Sequence, residues 1–189
     1  WLALGAGIAG GADVILIPEI PYDIDIVAQS LLGRMRRGKM FSIVAVAEGA
    51  VSKEDAKLEE ADSSKKRKKK QGKEIEHIKE PVSSILAEHL EDVTGLETRV
   101  TSLGHLQRGG IPTPTDRLLC TKFGTHAAEL ALNGEFGCMV AKQGEAFVAV
   151  PLEEVVGKKR LVTMDHPWVR AARDVSVCLG DVIPKGLEP

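Results

Sequence analysis

The sequence has few cysteines, few aromatic residues and no long apolar run. Its three cysteines, Cys120, Cys138 and Cys178, are odd in number and widely spaced, which excludes a disulfide framework and a metal-binding cysteine pair. We interpret them as buried thiols in a reducing compartment and expect a cytoplasmic protein. No apolar run reaches the roughly 18 residues that a membrane helix needs. We therefore expect no membrane partner.

The composition is otherwise that of an ordinary globular protein. The 189 residues suffice for one domain or parts of two, and 43% of them are hydrophobic and 28% charged. A net charge of −2 predicts no general attraction to nucleic acid. Residues 1–11 are apolar but lack an initiating Met, a basic leader and an N-cap residue. We interpret them as a helix entered part-way, and the chain as a fragment of a longer protein.

Strand and helix patterns alternate through the first part of the chain. Residues 13–18 form a continuous apolar run, typical of a strand buried on both faces. A helical pattern begins at Asp23, and a second apolar run over residues 41–47 places Glu48 at its carboxyl end. Strand, helix and strand in this order predict an α/β fold, with a doubly wound parallel sheet and helices on both faces.

Residues 50–80 interrupt this alternation because they are charged and almost free of large apolar side chains. The basic run 65–70 could belong to a binding module for nucleic acid or another polyanion. Alternatively, the segment is a solvated insertion whose acidic and basic blocks partly neutralise each other. We favour the insertion, a loop, since no aromatic residue is interleaved to stack on bases.

Five further elements are predicted on either side of the motif that is described next. A helix begins near Pro81 and stops at Gly95. Residues 138–142 and 145–150 form a hairpin, followed by a short helix over 151–156 and a helix that begins near Pro167, with a loose tail beyond Gly180. A long helix over 116–133 carries an apolar stripe that predicts a core face, made by Leu118, Leu119, Phe123, Ala127, Leu130 and Ala131.

The run E-T-R-V-T-S-L-G-H-L-Q-R-G-G from residue 97 is the strongest functional signal. Its residues 98–103 predict a strand, and the turn that follows presents His105 and Arg108 before two glycines. Ligands of open α/β sheets bind at the carboxyl ends of strands, and Arg99, His105 and Arg108 suit a phosphate. From chemistry alone, the alternative is a solvated loop that happens to be basic.

The same run resembles the sugar-phosphate-binding segment of the phosphofructokinase family, which reads E-T-R-x-x-x-L-G-H-x-Q-R-G-G. Residues 14–19 and 43–48 are similar to family strands that end in Pro-Glu and in a substrate-binding glutamate. The resemblance implies a phosphofructokinase-like fold, present as a partial chain. It also implies a sugar-phosphate domain over 1–107, a segment over 108–157 that returns to the phosphoryl-donor domain, and a C-terminal helix and tail over 158–189.

Residue roles follow from the resemblance. Glu48 is expected to accept hydrogen bonds from hydroxyls of fructose 6-phosphate, while His105 and Arg108 hold its phosphate. Arg99 is expected to reach the site of a neighbouring subunit, in a homodimer or homotetramer with shared sites. A possible effector site lies where Asp13, Arg37 and Lys39 match an acidic metal partner and basic phosphate contacts in bacterial members.

The family's Gly-Gly-Asp donor loops and Thr-Ile-Asp-Asn-Asp motif do not occur in this sequence. The resemblance therefore places the catalytic aspartate and the Mg²⁺ ligands upstream, and the 189-residue chain alone is expected to be inactive. The phosphoryl donor, ATP or pyrophosphate, stays open. A further alternative is a non-catalytic, sugar-phosphate-binding regulatory half.

Overall fold

The computed structural model describes residues 1–58 and 81–188, which form two compact units. The first unit comprises Trp1–Thr101 with Leu161–Pro189, and the second comprises Ser102–Arg160. In chain order the elements are α1 Leu2–Ala9, β1 Val14–Leu16, α2 Ile24–Arg36, β2 Val44–Val46, α3 Val82–Thr94, a 3-10 helix Gly104–Arg108, α4 Pro114–Leu132, β3 Cys138–Gln143, β4 Ala146–Pro151, α5 Leu152–Val155 and α6 Pro167–Asp174.

The first unit is built on the parallel pair β1–β2, in which Val14 lies opposite Val44 and Leu16 opposite Val46. A parallel bridge from Val14 to Cys178 adds a third segment of the chain on the other side of β1. Because parallel neighbours need a crossover, the helix α2 between the two strands follows from this pairing. The predicted parallel sheet is confirmed.

Successive residues of β1 point to opposite faces of the sheet, and both faces are buried. Ile15 lies in one apolar cluster with Leu4 of α1 and Val169 of α6. Leu16 lies in a second cluster on the other face, which contains residues of α2 and α3. A strand covered on both sides needs a continuous apolar run, as residues 13–18 have. The prediction of helices on both faces is confirmed.

The ends of the helices agree with the signals in the sequence. The Asp23 side chain caps α2 by accepting a hydrogen bond from the amide of Asp25 at 3.1 Å. Gly95 ends α3 in the left-handed conformation, at a φ of 68°. Among the residues that the structure describes, none of the helices is both long and apolar enough to cross a bilayer.

The segment after β2 is not wholly a loop. Residues 53–58 are helical, contrary to the expectation for residues 50–80. The Ser52 hydroxyl accepts from the Asp55 amide at 3.0 Å and donates to the Asp55 carboxylate at 2.8 Å, so Ser52 caps this turn. Residues 59–80, with the basic run 65–70, lie outside the described part of the chain.

The second unit contains α4 and the antiparallel hairpin β3–β4, and both predicted elements are confirmed. The hairpin packs on α4 through an edge-to-face contact of Phe123 and Phe147, whose ring centroids are 4.9 Å apart. The predicted core stripe of α4 is largely wrong. Leu130 is buried but Leu118 is 66% exposed, because the hairpin covers only part of the helix within this unit.

The cysteines do not share one environment. Cys178 is buried, and this burial raises the pKa of its thiol. Cys138 is half-buried and Cys120 is exposed. The expectation of three buried thiols is therefore wrong for Cys120, since it lies on α4, which is little covered within its own unit.

The C-terminal tail is packed rather than loose. Leu187 is buried, and its carbonyl group lies against Gly33 of α2. Arg173 and Asp181 form a two-pronged ion pair whose Nη2–Oδ2 distance is 2.6 Å. The tail beyond Gly180 has no helical or strand periodicity and contains two prolines, which is why its sequence carries no packing signal.

Candidate functional site

Glu48 lies in a tight turn at the carboxyl end of β2. The Ala50 amide donates to the carbonyl group of Ala47 at 3.0 Å, which places Glu48 and Gly49 at the corners of the turn. The Glu48 side chain is exposed. A Cβ atom on Gly49 would lie 3.2 Å from Pro18, so the turn is close to the end of β1. The sequence placed Glu48 correctly at a strand end.

His105 and Arg108 lie three residues apart on the 3-10 helix Gly104–Arg108. A 3-10 helix has 3.0 residues per turn, so side chains at positions i and i+3 point to the same side. Both side chains are exposed, and neither makes a hydrogen bond or ion pair with residues in the ranges 1–58 and 81–188. The turn therefore exposes two basic groups on the same side.

Glycines bracket this helical turn. Gly104 and Gly110 have φ values of 44° and 94°, a backbone conformation that residues with a side chain rarely adopt. The space around them is open, since an added Cβ atom would meet nothing within 4 Å at either position. The chain then enters α4, whose N-terminus carries a complete capping box between Thr113 and Asp116. The two glycines permit the backbone conformation of the turn, and the capped start of α4 orders the chain that follows it.

Residues 98–103 do not form the predicted strand. The segment has no ladder partner among the described residues, and Leu103 at its end is in the right-handed helical conformation. Instead, the Thr98 hydroxyl and amide both donate to the Glu91 carboxylate of α3, at 2.8 and 3.2 Å. The next residue, Arg99, is 86% exposed at its side chain and pairs with Glu97 at 2.8 Å. The anchoring of Thr98 by Glu91 is not readable from sequence, because no motif links these positions across Gly95.

The four residues expected to bind sugar phosphate belong to both units. Glu48 and Arg99 lie in the first unit, whereas His105 and Arg108 lie in the second. Within the second unit, the structure brings His105 and Arg108 together on one turn. A single cleft that also contains Glu48 stays a prediction.

The residues expected to bind an effector line one cavity of about 280 Å³ in the first unit. Asp13, Arg37 and Lys39 lie on its wall together with Arg34 and Leu187. Arg37 and Lys39 form no ion pair with any carboxylate in the described ranges. The cavity therefore has two cationic groups available for an anion.

Asp13 is already engaged on both of its oxygens. Its Oδ1 lies 2.6 Å from Nη2 of Arg34, and its Oδ2 accepts from the amide of Ile43 at 2.8 Å. No sequence pattern indicates this contact, because the two residues meet only through the tertiary fold. Asp13 is thus occupied by an intramolecular cation rather than left as an open ligand.

The described residues contain no group of three or more His, Cys, Asp or Glu side chains that could hold a metal ion. Within residues 1–58 and 81–188, the side chains therefore offer no site with three such ligands. No chemical step through a metal is assigned to these residues.

Comparison with known proteins gives a family match for the chain. The family model for phosphofructokinase matches residues 1–131. An ATP-dependent 6-phosphofructokinase of Propionibacterium freudenreichii is 49% identical over 191 residues, and a protein of the same name from Spirochaeta thermophila is 50% identical over 185 residues. Each alignment covers 96% of this chain but only 51% and 48% of the relative, respectively. The chain spans about half the length of the curated relatives it matches.

The fold comparison agrees with the family match. A pyrophosphate-dependent phosphofructokinase from Marinobacter aquaeolei superposes with a TM-score of 0.61 at 20% sequence identity. The match covers 100% of this chain and 48% of that structure. At this identity the likeness concerns the fold alone, and it confirms the expected phosphofructokinase-like architecture of a partial chain.

Proposed function

Because the chain belongs to the phosphofructokinase family, we propose that it supplies the sugar-phosphate site of a 6-phosphofructokinase. The whole enzyme would transfer a phosphoryl group from ATP to the 1-hydroxyl of fructose 6-phosphate, giving fructose 1,6-bisphosphate in glycolysis. The observation that carries this proposal is the pair of basic side chains, His105 and Arg108, on one side of a single helical turn.

His105 and Arg108 are proposed to hold the 6-phosphate. The guanidinium of Arg108 offers a planar set of donors that matches two phosphate oxygens, and the imidazole of His105 adds a further donor. Neither side chain has to leave a partner within the described ranges, so little rearrangement opposes binding. Gly109 and Gly110 leave space for the ligand, since nothing lies within 3.5 Å of an added Cβ atom at either position.

Glu48 is proposed to accept hydrogen bonds from the sugar hydroxyls. An ionised carboxylate only accepts, which suits hydroxyl donors and disfavours a second anion at the sugar end. Arg99 is proposed to reach a phosphate bound by a neighbouring copy, in a homodimer or homotetramer. Its side chain is 86% exposed, which is consistent with this role.

The donor side of the reaction is proposed to lie in parts of the enzyme outside this chain. The sequence contains no motif that cradles a phosphoryl donor, and its described residues offer no metal site. Mg²⁺ would neutralise the charge that develops on the transferred phosphoryl group, and its ligands and the catalytic aspartate are expected elsewhere. We therefore expect the chain by itself to bind sugar phosphate without turnover.

ATP is favoured over pyrophosphate as the donor. The relatives at 49% and 50% identity are both named ATP-dependent, whereas the pyrophosphate-dependent structure is only 20% identical. We also propose that the enzyme is cytoplasmic, in keeping with its three free cysteines. We also keep the domain boundaries at 107/108 and 157/158, and an anion-binding effector role for the cavity lined by Asp13, Arg37 and Lys39, as proposals.

Replacement of Arg108 tests the proposed site. In the full-length enzyme, Arg108→Ala should raise KM for fructose 6-phosphate at least about 10-fold, because a charged hydrogen-bond partner contributes roughly 1.5–3 kcal/mol. Steady-state kinetics with varied fructose 6-phosphate measure this change, with KM for ATP as an internal reference.

Arg36→Ala is the matched control, since Arg36 is an exposed arginine at the end of α2 outside the proposed site. It should leave both KM values unchanged. An Arg108→Ala enzyme with the KM of the parent enzyme would overturn the assignment of the phosphate to this turn.

A further inference from the structure

From Glu97 to Arg99 the side chains alternate in environment along the chain. Thr98 is half-buried, whereas Glu97 and Arg99 on either side of it are exposed. Glu97 and Arg99 share the outer side, since Nη2 of Arg99 lies 2.8 Å from Oε1 of Glu97 and both side chains are largely exposed. The alternation places Arg99 outward and Thr98 toward α3.

Thr98 fastens this segment to α3. Its hydroxyl lies 2.8 Å from Oε2 of Glu91 and 3.3 Å from the carbonyl oxygen of Ala87, and its amide donates to the same Oε2 at 3.2 Å. The helix is itself held in the core, since Leu86 and Leu90 are 2% and 3% exposed. Thr98 therefore makes three contacts that hold this segment against the helix α3.

The guanidinium of Arg99 is also oriented from its own side. Its Nε and Nη2 atoms both donate to a single oxygen of Glu97, Oε1, at 3.0 and 2.8 Å. This side-on contact leaves Nη1 free of partners among the described residues. The arginine is thus held by one edge while part of its donor fork stays available for an anion.

We propose that Glu91 and Thr98 are positioning residues for Arg99, and that Glu97 sets the orientation of its guanidinium. The inference rests on the proposed role of Arg99 as a phosphate ligand. Neither Glu91 nor Thr98 touches the phosphate in this arrangement. They fix the backbone from which Arg99 extends, so that less conformational freedom is lost when the phosphate binds.

Loss of the anchor should weaken sugar-phosphate binding without affecting the chemical step. Thr98→Val keeps the side-chain shape and removes the hydroxyl, and it should raise KM for fructose 6-phosphate about 3- to 10-fold, the worth of one ordinary hydrogen bond. kcat should stay within about 2-fold, because a change limited to binding leaves the rate of the bound complex alone. Thr98→Ser keeps the hydroxyl and should restore KM.

A double-mutant cycle in the full-length enzyme separates positioning from general structural support. Thr98→Val is measured in the parent enzyme and in Arg99→Ala, and its effect on KM should disappear in the second background. Glu91→Ala removes the acceptor at an exposed helix position and should reproduce the KM of Thr98→Val. Thr125→Val, at an exposed threonine of α4, is the control and should leave KM unchanged.

The outcomes distinguish this inference from the proposed function. If Arg99→Ala alone leaves KM for fructose 6-phosphate unchanged, the phosphate role of Arg99 is wrong, and the positioning role falls with it. If Arg99→Ala raises KM but Thr98→Val does not, or raises it equally in both backgrounds, only the positioning role is overturned. A rise for Thr98→Val that vanishes without Arg99 supports both.

Discussion

Arg34 connects several segments of the first unit. Its Nη2 atom lies 2.6 Å from Oδ1 of Asp13, and its Nε donates to the hydroxyl of Ser42 at 3.1 Å. Asp13 in turn accepts from the amide of Ile43 at 2.8 Å. Since Asp13 precedes β1 and Ile43 precedes β2, this network ties the end of α2 to the start of both strands.

Arg34→Ala should lower the free energy of unfolding by about 1–3 kcal/mol, because it leaves the Asp13 carboxylate without its charged partner in a partly buried site. The two side chains are only 21% and 15% exposed, so solvent screens the pair less than it would at the surface. Urea denaturation of the full-length enzyme measures the change.

Arg36→Ala removes an exposed arginine from the same helix end and should change stability by no more than about 0.5 kcal/mol. Equal stabilities for the two variants would show that the Arg34 network contributes nothing beyond a surface charge.

Single residues were predictable where their role is local. His105 and Arg108 lie on the same side of one turn because they are three residues apart, and both the spacing and the turn are visible in the sequence. The contact of Asp13 with Arg34 depends on how α2 returns to the sheet, and no pattern near either residue indicates it. The same holds for Thr98 and Glu91.

At the level of elements, the start of α4 is defined by a complete capping box. The hydroxyl of Thr113 accepts from the amide of Asp116 at 3.2 Å, while the Asp116 carboxylate accepts from both the amide and the hydroxyl of Thr113. These hydrogen bonds hold the pKa of Asp116 below its usual value of 3.8, with the Thr113 hydroxyl as the first cause. The element directly follows the turn with Arg108.

Thr113→Ala should destabilise the start of α4 by about 1 kcal/mol, the usual cost of a lost N-cap. The pKa of Asp116 should rise toward its usual value, since its largest stabilising donor is gone. A carboxyl whose pKa is lowered by folding stabilises the fold above its unfolded pKa, and this contribution is lost as pH falls through the lowered value. NMR titration of the Asp116 carboxyl carbon measures the shift.

Thr121→Ala is the control in the same helix, because the Thr121 hydroxyl only bonds back to the carbonyl of Arg117 at 2.9 Å. It should leave the titration of Asp116 unchanged. A Thr113→Ala protein whose Asp116 titrates as in the parent would mean that the capping box does not set this pKa.

Elements with signals at both ends were predicted well, and those that depend on a partner were not. Helices α2 and α3 have a start signal and a glycine stop within their own sequence. The β-like composition of residues 98–103 predicted a strand, but a strand exists only where another chain offers a ladder, and among the described residues α3 holds this segment instead.

At the scale of the whole molecule, the strand β1 organises the first unit. Segments of the same chain pair with it on both sides, and helices cover both of its faces. Its residues Val14, Ile15 and Leu16 are all fully buried. This much follows from a continuous apolar run. The way in which the C-terminal tail returns to α2 does not, since Leu187 and Gly33 meet through a backbone carbonyl and a missing side chain.

Gly33 permits this contact, and its replacement should loosen the tail. A Cβ atom at residue 33 would lie 2.6 Å from the carbonyl oxygen of Leu187, which is backbone and cannot rotate away. Gly33→Ala should therefore destabilise the protein by about 1–3 kcal/mol, although alanine alone favours a helix. The displaced tail should become more sensitive to trypsin, with cleavage on the C-terminal side of Arg173 and Lys185. Mass spectrometry of timed digests detects these cuts.

Gly124→Ala is the matched change in α4, where an added Cβ atom meets nothing within 4 Å. There the helix preference acts alone and should stabilise by about 0.5–1 kcal/mol. Opposite signs for the two glycines are the expected result, because only one of them holds another segment of chain against its helix. If Gly33→Ala also stabilises and the tail resists proteolysis as before, the packing of Leu187 on α2 is not what keeps the tail in place.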